Sequence, residues 1–134
     1  MTPARDRCGG LGRSHTTMAR FTRLDVWQEA RTMLRMVSDA TRGMRAEGDL
    51  KSQMRRAAIS VASNIAEGAE RGSDAEFKRF LAIARASNAE VEAQATIAGD
   101  LRCLAQADSD RLVRQCDRIG RMLNRLMAAM APPG

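Results

Sequence analysis

The chain has 134 residues, a formal net charge of +6, 44% hydrophobic residues and only 3% aromatic ones. That length suits one domain whose core needs neither disulfide nor metal staples. No run approaches the ~20 apolar residues of a membrane span, and three cysteines with no C-x-x-C pair indicate neither a disulfide framework nor a zinc site, which fits a reducing cytoplasm.

Residues 1–17 are rich in Gly, Thr and Arg and carry no helical period. They read as a disordered tail, or as an over-extended start with Met18 as the true first residue. From Met18 to Ala131 the chain reads as one domain. Ala, Leu, Met, Arg and Glu dominate it, and β-branched and aromatic residues are scarce, so the expected class is all-α.

The first helix is predicted over 23–41. Thr22 would cap it, and Phe21 would staple onto Val26. Val26, Trp27, Ala30, Met33, Leu34, Val37 and Ala40 give its apolar face. The second helix is predicted over 50–67. It has one apolar stripe through Leu50, Met54, Ala57, Ala58, Val61 and Ile65, and a second through Ile59, Ala62 and Ala66. Two apolar faces imply a helix central in its bundle or one that meets another subunit. Gly68 reads as its C-terminal stop.

Ser73, with Glu76 three residues on, reads as a capping box that opens a third helix over 74–104. Phe77, Phe80, Leu81, Ala84, Asn88, Val91, Ala95 and Ala98 mark its main stripe, and Ile83, Ile97, Leu101 and Leu104 a second. The fourth helix, over 109–130, is expected to be capped by Ser109. Residues 132–134 are a short tail. Short connections between long helices predict an antiparallel up-down-up-down four-helix bundle.

The chemistry is sparse. The only histidine, His15, lies in the tail, which removes histidine bases and histidine metal sites from the domain. No P-loop or dinucleotide-binding glycine string exists. No cofactor and no metal are expected, and the domain is not expected to be an enzyme. Cys103 and Cys116 flank the last turn and read as small core hydrophobes, loosely facing one another.

Two features stand out. Arg56, Ser60, Ser63, Asn64 and Glu67 recur at 3–4 spacing on the second helix. Short polar side chains kept in mid-helix point to a polar network, buried or at a subunit interface, over a plain solvated face. The other feature is the basic balance: of 22 basic residues only Lys51 and Lys78 are lysines. Arginine makes bidentate phosphate contacts, although the same bias follows from a GC-rich genome. Arg55, Arg71, Arg79 and Arg85, near the corner between helices two and three, are the candidate phosphate contacts.

The segment QMRRAAISVASNIAEGAERGSDAEFKRFLAIA (53–84) resembles the signature of the four-helix bundle protein family. Its members include proteins of intervening sequences in bacterial 23S ribosomal RNA genes and the accessory protein of diversity-generating retroelements. The resemblance rests on Arg55-Arg56-Ala57, the SNIAEG of Ser63 to Gly68, Arg71 and Glu76-Phe77. FTRLDVWQEA (21–30) and RMLNRL (121–126) are similar to the family's first and last helices, so it spans Phe21 to Met130. Ala62 stands where the family often has Pro, and Arg85-Ala86-Ser87-Asn88 where it often has Gly-Ser. The resemblance implies a homo-oligomeric ring, a pentamer, and in the retroelement members a reverse transcriptase and nucleic acid as partners.

The reading that results is a non-enzymatic homo-oligomeric scaffold that binds RNA or DNA, or a nucleoprotein partner, through arginine–phosphate contacts. The alternative is a purely structural protein-interaction module. A small enzyme or redox protein using Glu67, Arg71, Cys103 and Cys116 is the third.

Overall fold

Apolar residues at three- and four-residue spacing wind into four helices: α1 (Asp25–Arg42), α2 (Gly48–Ala69), α3 (Asp74–Asp100) and α4 (Gln106–Ala128). The computed structural model describes Phe21, residues 24–44 and residues 48–130. The expected tails 1–17 and 132–134, the start at Met18 and the cap at Thr22 lie outside the described residues.

The expected stripes become the core. Val26, Ala30, Met33 and Val37 of α1 meet Met54, Ala58, Val61 and Ile65 of α2, Leu81, Ala84, Val91 and Ala95 of α3, and Leu112, Cys116, Ile119 and Leu123 of α4. Burying each of the larger side chains contributes about 1.5–3 kcal/mol relative to exposure. α1 packs on α2 and α4, and α3 packs on α2 and α4. Cross-helix bonds set the register. Arg55, early in α2, donates to Thr41 at the end of α1 (2.8 Å). Ser60 pairs with Ser87 at 2.9 Å, and Arg85 reaches Asn124 at 3.0 Å.

Several helix ends differ from the sequence expectation. α1 starts at Asp25, with Leu24 at the cap position and no side-chain cap. Phe21 packs edge-on against Trp27, 4.7 Å between centroids, where a staple onto Val26 was expected. Gly68 is no stop: it sits buried within α2. A Cβ there would come within 2.7 Å of the Phe80 Cβ, so its lack of a side chain is what lets α3 approach. Ser109 is no cap either. It is buried in the first turns of α4 and donates to the Ala95 carbonyl at 2.8 Å, binding α4 to α3.

α3 ends at Asp100, short of the expected 104. Arg102 takes a left-handed φ of 60°. Cys103 N–H then reaches the Ala98 carbonyl (2.9 Å) and Arg102 N–H the Gly99 carbonyl (3.1 Å), the paired bonds of a Schellman stop. Ser73 behaves as expected, accepting from the Glu76 N–H at 3.2 Å. The second stripe of α2 is only partly covered within the chain: Ile59 is 51% exposed, whereas Ala62 and Ala66 are half-buried.

Candidate nucleic-acid interface

The corner between α2 and α3 is built by packing. Gly68 admits Phe77 and Phe80 close against α2, and Ser73 fixes where α3 begins. Phe80 is buried, and two arginines cover its ring. The guanidinium carbons of Arg71 and Arg79 lie 4.9 and 4.8 Å from its centroid. Each arginine is also held by a carboxylate, Arg71 by Glu67 at 2.8 Å and Arg79 by Glu76 at 3.2 Å. Ring and carboxylate together orient both planar groups, which reduces the rotamer entropy either would give up on binding an anion. The local field is weak, because residues 67–79 hold four acids against three bases.

Arg55 and Arg85 lie elsewhere. Arg55 bridges α2 to α1 through Thr41, whose own hydroxyl donates to the Val37 carbonyl at 2.8 Å. Arg85 turns to α4 and Asn124. The structure therefore brings Arg71 and Arg79 together and leaves the other two apart.

Of the polar strip, Ser60 and Asn64 join a half-buried network. Asn64 Nδ2 donates to the Ser60 carbonyl (2.8 Å) and hydroxyl (3.0 Å), and Ser60 pairs with Ser87. Arg56 bonds to Ser52 at 2.9 Å, Glu67 holds Arg71, and Ser63 is exposed. Sequence reasoning missed Ser87. The signal was a second mid-helix serine opposite Ser60, in the register that a short α2–α3 turn imposes.

The two described cysteines do not face one another. Cys116 is buried with its Sγ 3.7 Å from the Met33 Sδ, whereas Cys103 is half-buried in the α3–α4 turn. Burial, and secondarily the Glu92 charge, push the Cys116 thiol up to about 12. It stays a thiol at neutral pH and cannot act as a nucleophile. Among the described residues no group of three His, Cys, Asp or Glu side chains is placed to hold a metal ion, and no helix is long and apolar enough to cross a membrane.

A solved structure shares the fold. It is a Bacteroides thetaiotaomicron protein of the S23 ribosomal protein family, described as of unknown function. It superposes with a TM-score of 0.70 at 17% identity, over 76% of this chain and 97% of that one. No curated protein matches the chain. The family described as 23S rRNA-intervening sequence protein matches residues 22–125, from the start of the bundle to the last turn of α4, and the chain belongs to that family.

Proposed function

We propose that the chain is a non-catalytic helical scaffold that assembles with itself in the cytoplasm and holds nucleic acid through arginine–phosphate contacts. The observation that carries this reading is the pair of guanidinium groups, from Arg71 and Arg79, oriented on one buried ring at an exposed corner. Exposed ion pairs of the Arg71–Glu67 kind are worth about 0–1 kcal/mol, so a phosphate can replace the carboxylate at little cost. Arg55 and Arg85 are further contacts in the same proposal. The family's description, which ties it to 23S rRNA-intervening sequences, agrees with an RNA-related role.

Self-assembly is supported by a separate feature. Ile83, Ile97 and Leu101 are 40%, 46% and 56% exposed, and they fall on one line along α3 and its C-cap. Uncovered large aliphatic side chains at such spacing suit a contact with another copy. A five-membered ring, with a reverse transcriptase as its protein partner, is the specific form the family resemblance suggests.

Light scattering on a sizing column, read at 260 and 280 nm in low and high salt, tests both parts. Trp27 is the only tryptophan and there is no tyrosine, so protein absorbance at 280 nm is weak and bound nucleic acid stands out. The expected result is an oligomer carrying 260 nm absorbance that salt removes. Reversing the charge of Arg55, Arg71, Arg79 and Arg85 should reduce that retention. A clean oligomer indifferent to these reversals would favour the protein-interaction module, and a monomer would refute the assembly.

A further inference from the structure

Five arginines of α4 recur at alternating spacings of three and four: Arg111, Arg114, Arg118, Arg121 and Arg125. All five are exposed. At about 100° per residue they fall within an arc of roughly 80°, opposite the buried stripe of Leu112, Cys116, Ile119 and Leu123. At about 1.5 Å rise per residue the line is roughly 21 Å long and presents a guanidinium about every 5 Å. No acidic residue lies within the arc; Asp108, Asp110 and Asp117 flank it.

α4 is also the most basic element. It holds five arginines against three aspartates, whereas α1 has three bases against three acids and α3 three bases against five acids. Arg114 and Arg125 have no acidic partner among the described residues. The other three are paired: Arg111 with Asp108 and Arg121 with Asp117 at 2.8 Å near the surface, and Arg118 at 3.3 Å with Glu29 of α1, whose half-buried carboxylate also accepts from Gln115. The two pairs within α4 contribute little and exchange readily. Arg85 adds a sixth guanidinium from α3, held at 3.0 Å by Asn124, beside the Arg121–Arg125 end of the line.

From this geometry we infer that the outer face of α4 is a track for a nucleic-acid phosphate backbone, and that it supplies more of the binding than the α2–α3 corner does. The inference rests on the nucleic-acid reading above and relocates its main binding surface. A partner for this face must offer closely and regularly spaced anions and ask for no apolar anchor, since the line contains no aromatic and no large aliphatic side chain. A phosphodiester backbone meets both demands. A protein partner would have to bind this face without the buried anchors that dominate the energy of protein interfaces.

The test is fluorescence anisotropy of the full chain with a labelled 20-base-pair RNA duplex of mixed sequence, from 50 to 300 mM salt. The variants are R114Q/R121Q/R125Q, the same three positions changed to Lys, and R71Q/R79Q. Circular dichroism confirms that each is folded. For the Gln triple variant the slope of log K against log salt should fall by about 2–3, at roughly 0.7–0.9 for each phosphate no longer neutralised, with affinity at low salt down at least tenfold. The Lys variant should keep the slope. R71Q/R79Q should weaken binding less than the triple variant does. Wild-type binding that survives the triple substitution but not R71Q/R79Q would overturn the α4 track and leave the corner as the site. Absence of wild-type binding would overturn the underlying nucleic-acid reading as well. Equal displacement by poly-glutamate would overturn the choice of partner.

Discussion

Cys116 and Arg102 show how much a single side chain's surroundings matter. Cys116 has the composition of a reactive group and the environment of a methyl: buried, against the Met33 sulfur, with its pKa raised from 9.0 to about 12. The folded state therefore holds the proton that the unfolded state releases. That contribution is fully present below pH 9 and is lost as pH rises toward 12, by about 1.4 kcal/mol per pH unit within that window. Urea unfolding at pH 8, 9 and 10 should show this fall, and it should shrink in Cys116→Ala, whatever that variant's lower overall stability. In native protein at pH 8 a thiol reagent should label Cys103 and spare Cys116, by peptide mass mapping. Arg102 illustrates strain: a non-glycine residue at φ 60° ends α3. Arg102→Gly should raise stability by about 1 kcal/mol, because glycine takes the left-handed conformation without the Cβ clash. An unchanged or lower urea midpoint would contradict that account.

At the scale of the elements, the distance between packed atoms decides the sign of a helix substitution. Alanine in place of a mid-helix glycine ordinarily stabilises by about 0.5–1 kcal/mol. Gly120 should follow that rule, since an added Cβ meets only Asn88 Nδ2 at 3.6 Å. Gly68 should break it, because its Cβ would sit 2.7 Å from the Phe80 Cβ and 3.3 Å from the Phe77 carbonyl oxygen. We expect Gly68→Ala to destabilise by about 1–3 kcal/mol and to loosen Phe80 beneath Arg71 and Arg79, so weakening whatever binds at that corner. Thermal melts of the two variants side by side check the contrast; equal shifts would mean that α2 and α3 pack less closely than described. The helix bodies were legible from spacing alone, whereas Gly68 and Ser109 were misread as ends. Glycine and serine serve equally as caps and as sites of close helix approach, and the choice is made by the residue opposite, which lies a dozen or more positions away in the chain.

For the whole molecule, charge and apolar exposure segregate to different faces. The arginine line runs down α4, while Ile83 and Ile97 stand exposed on α3, Leu101 at its C-cap and Ile59 on α2. If the α3 face is where copies meet, I97D/L101D should lower the mass read by light scattering while helicity stays unchanged, since both side chains are already about half exposed. An oligomer that survives the substitution would place the interface elsewhere. The same variant should keep its nucleic-acid salt slope per chain, because the α4 line is untouched.

By itself the sequence determined the helical class, the four apolar stripes and the absence of histidine chemistry from the bundle, since periodicity and composition are properties of neighbours along the chain. It also carried the family signature between residues 53 and 84. The tertiary structure alone decided which arginines stand together. Arg71 and Arg79 converge because Phe80 packs beneath both. Arg55 is drawn to α1 by a buried threonine hydroxyl, and Arg85 to α4 by Asn124. A guanidinium's partner is chosen across helices, by register and burial, and neither is encoded in the spacing of the residues that flank it.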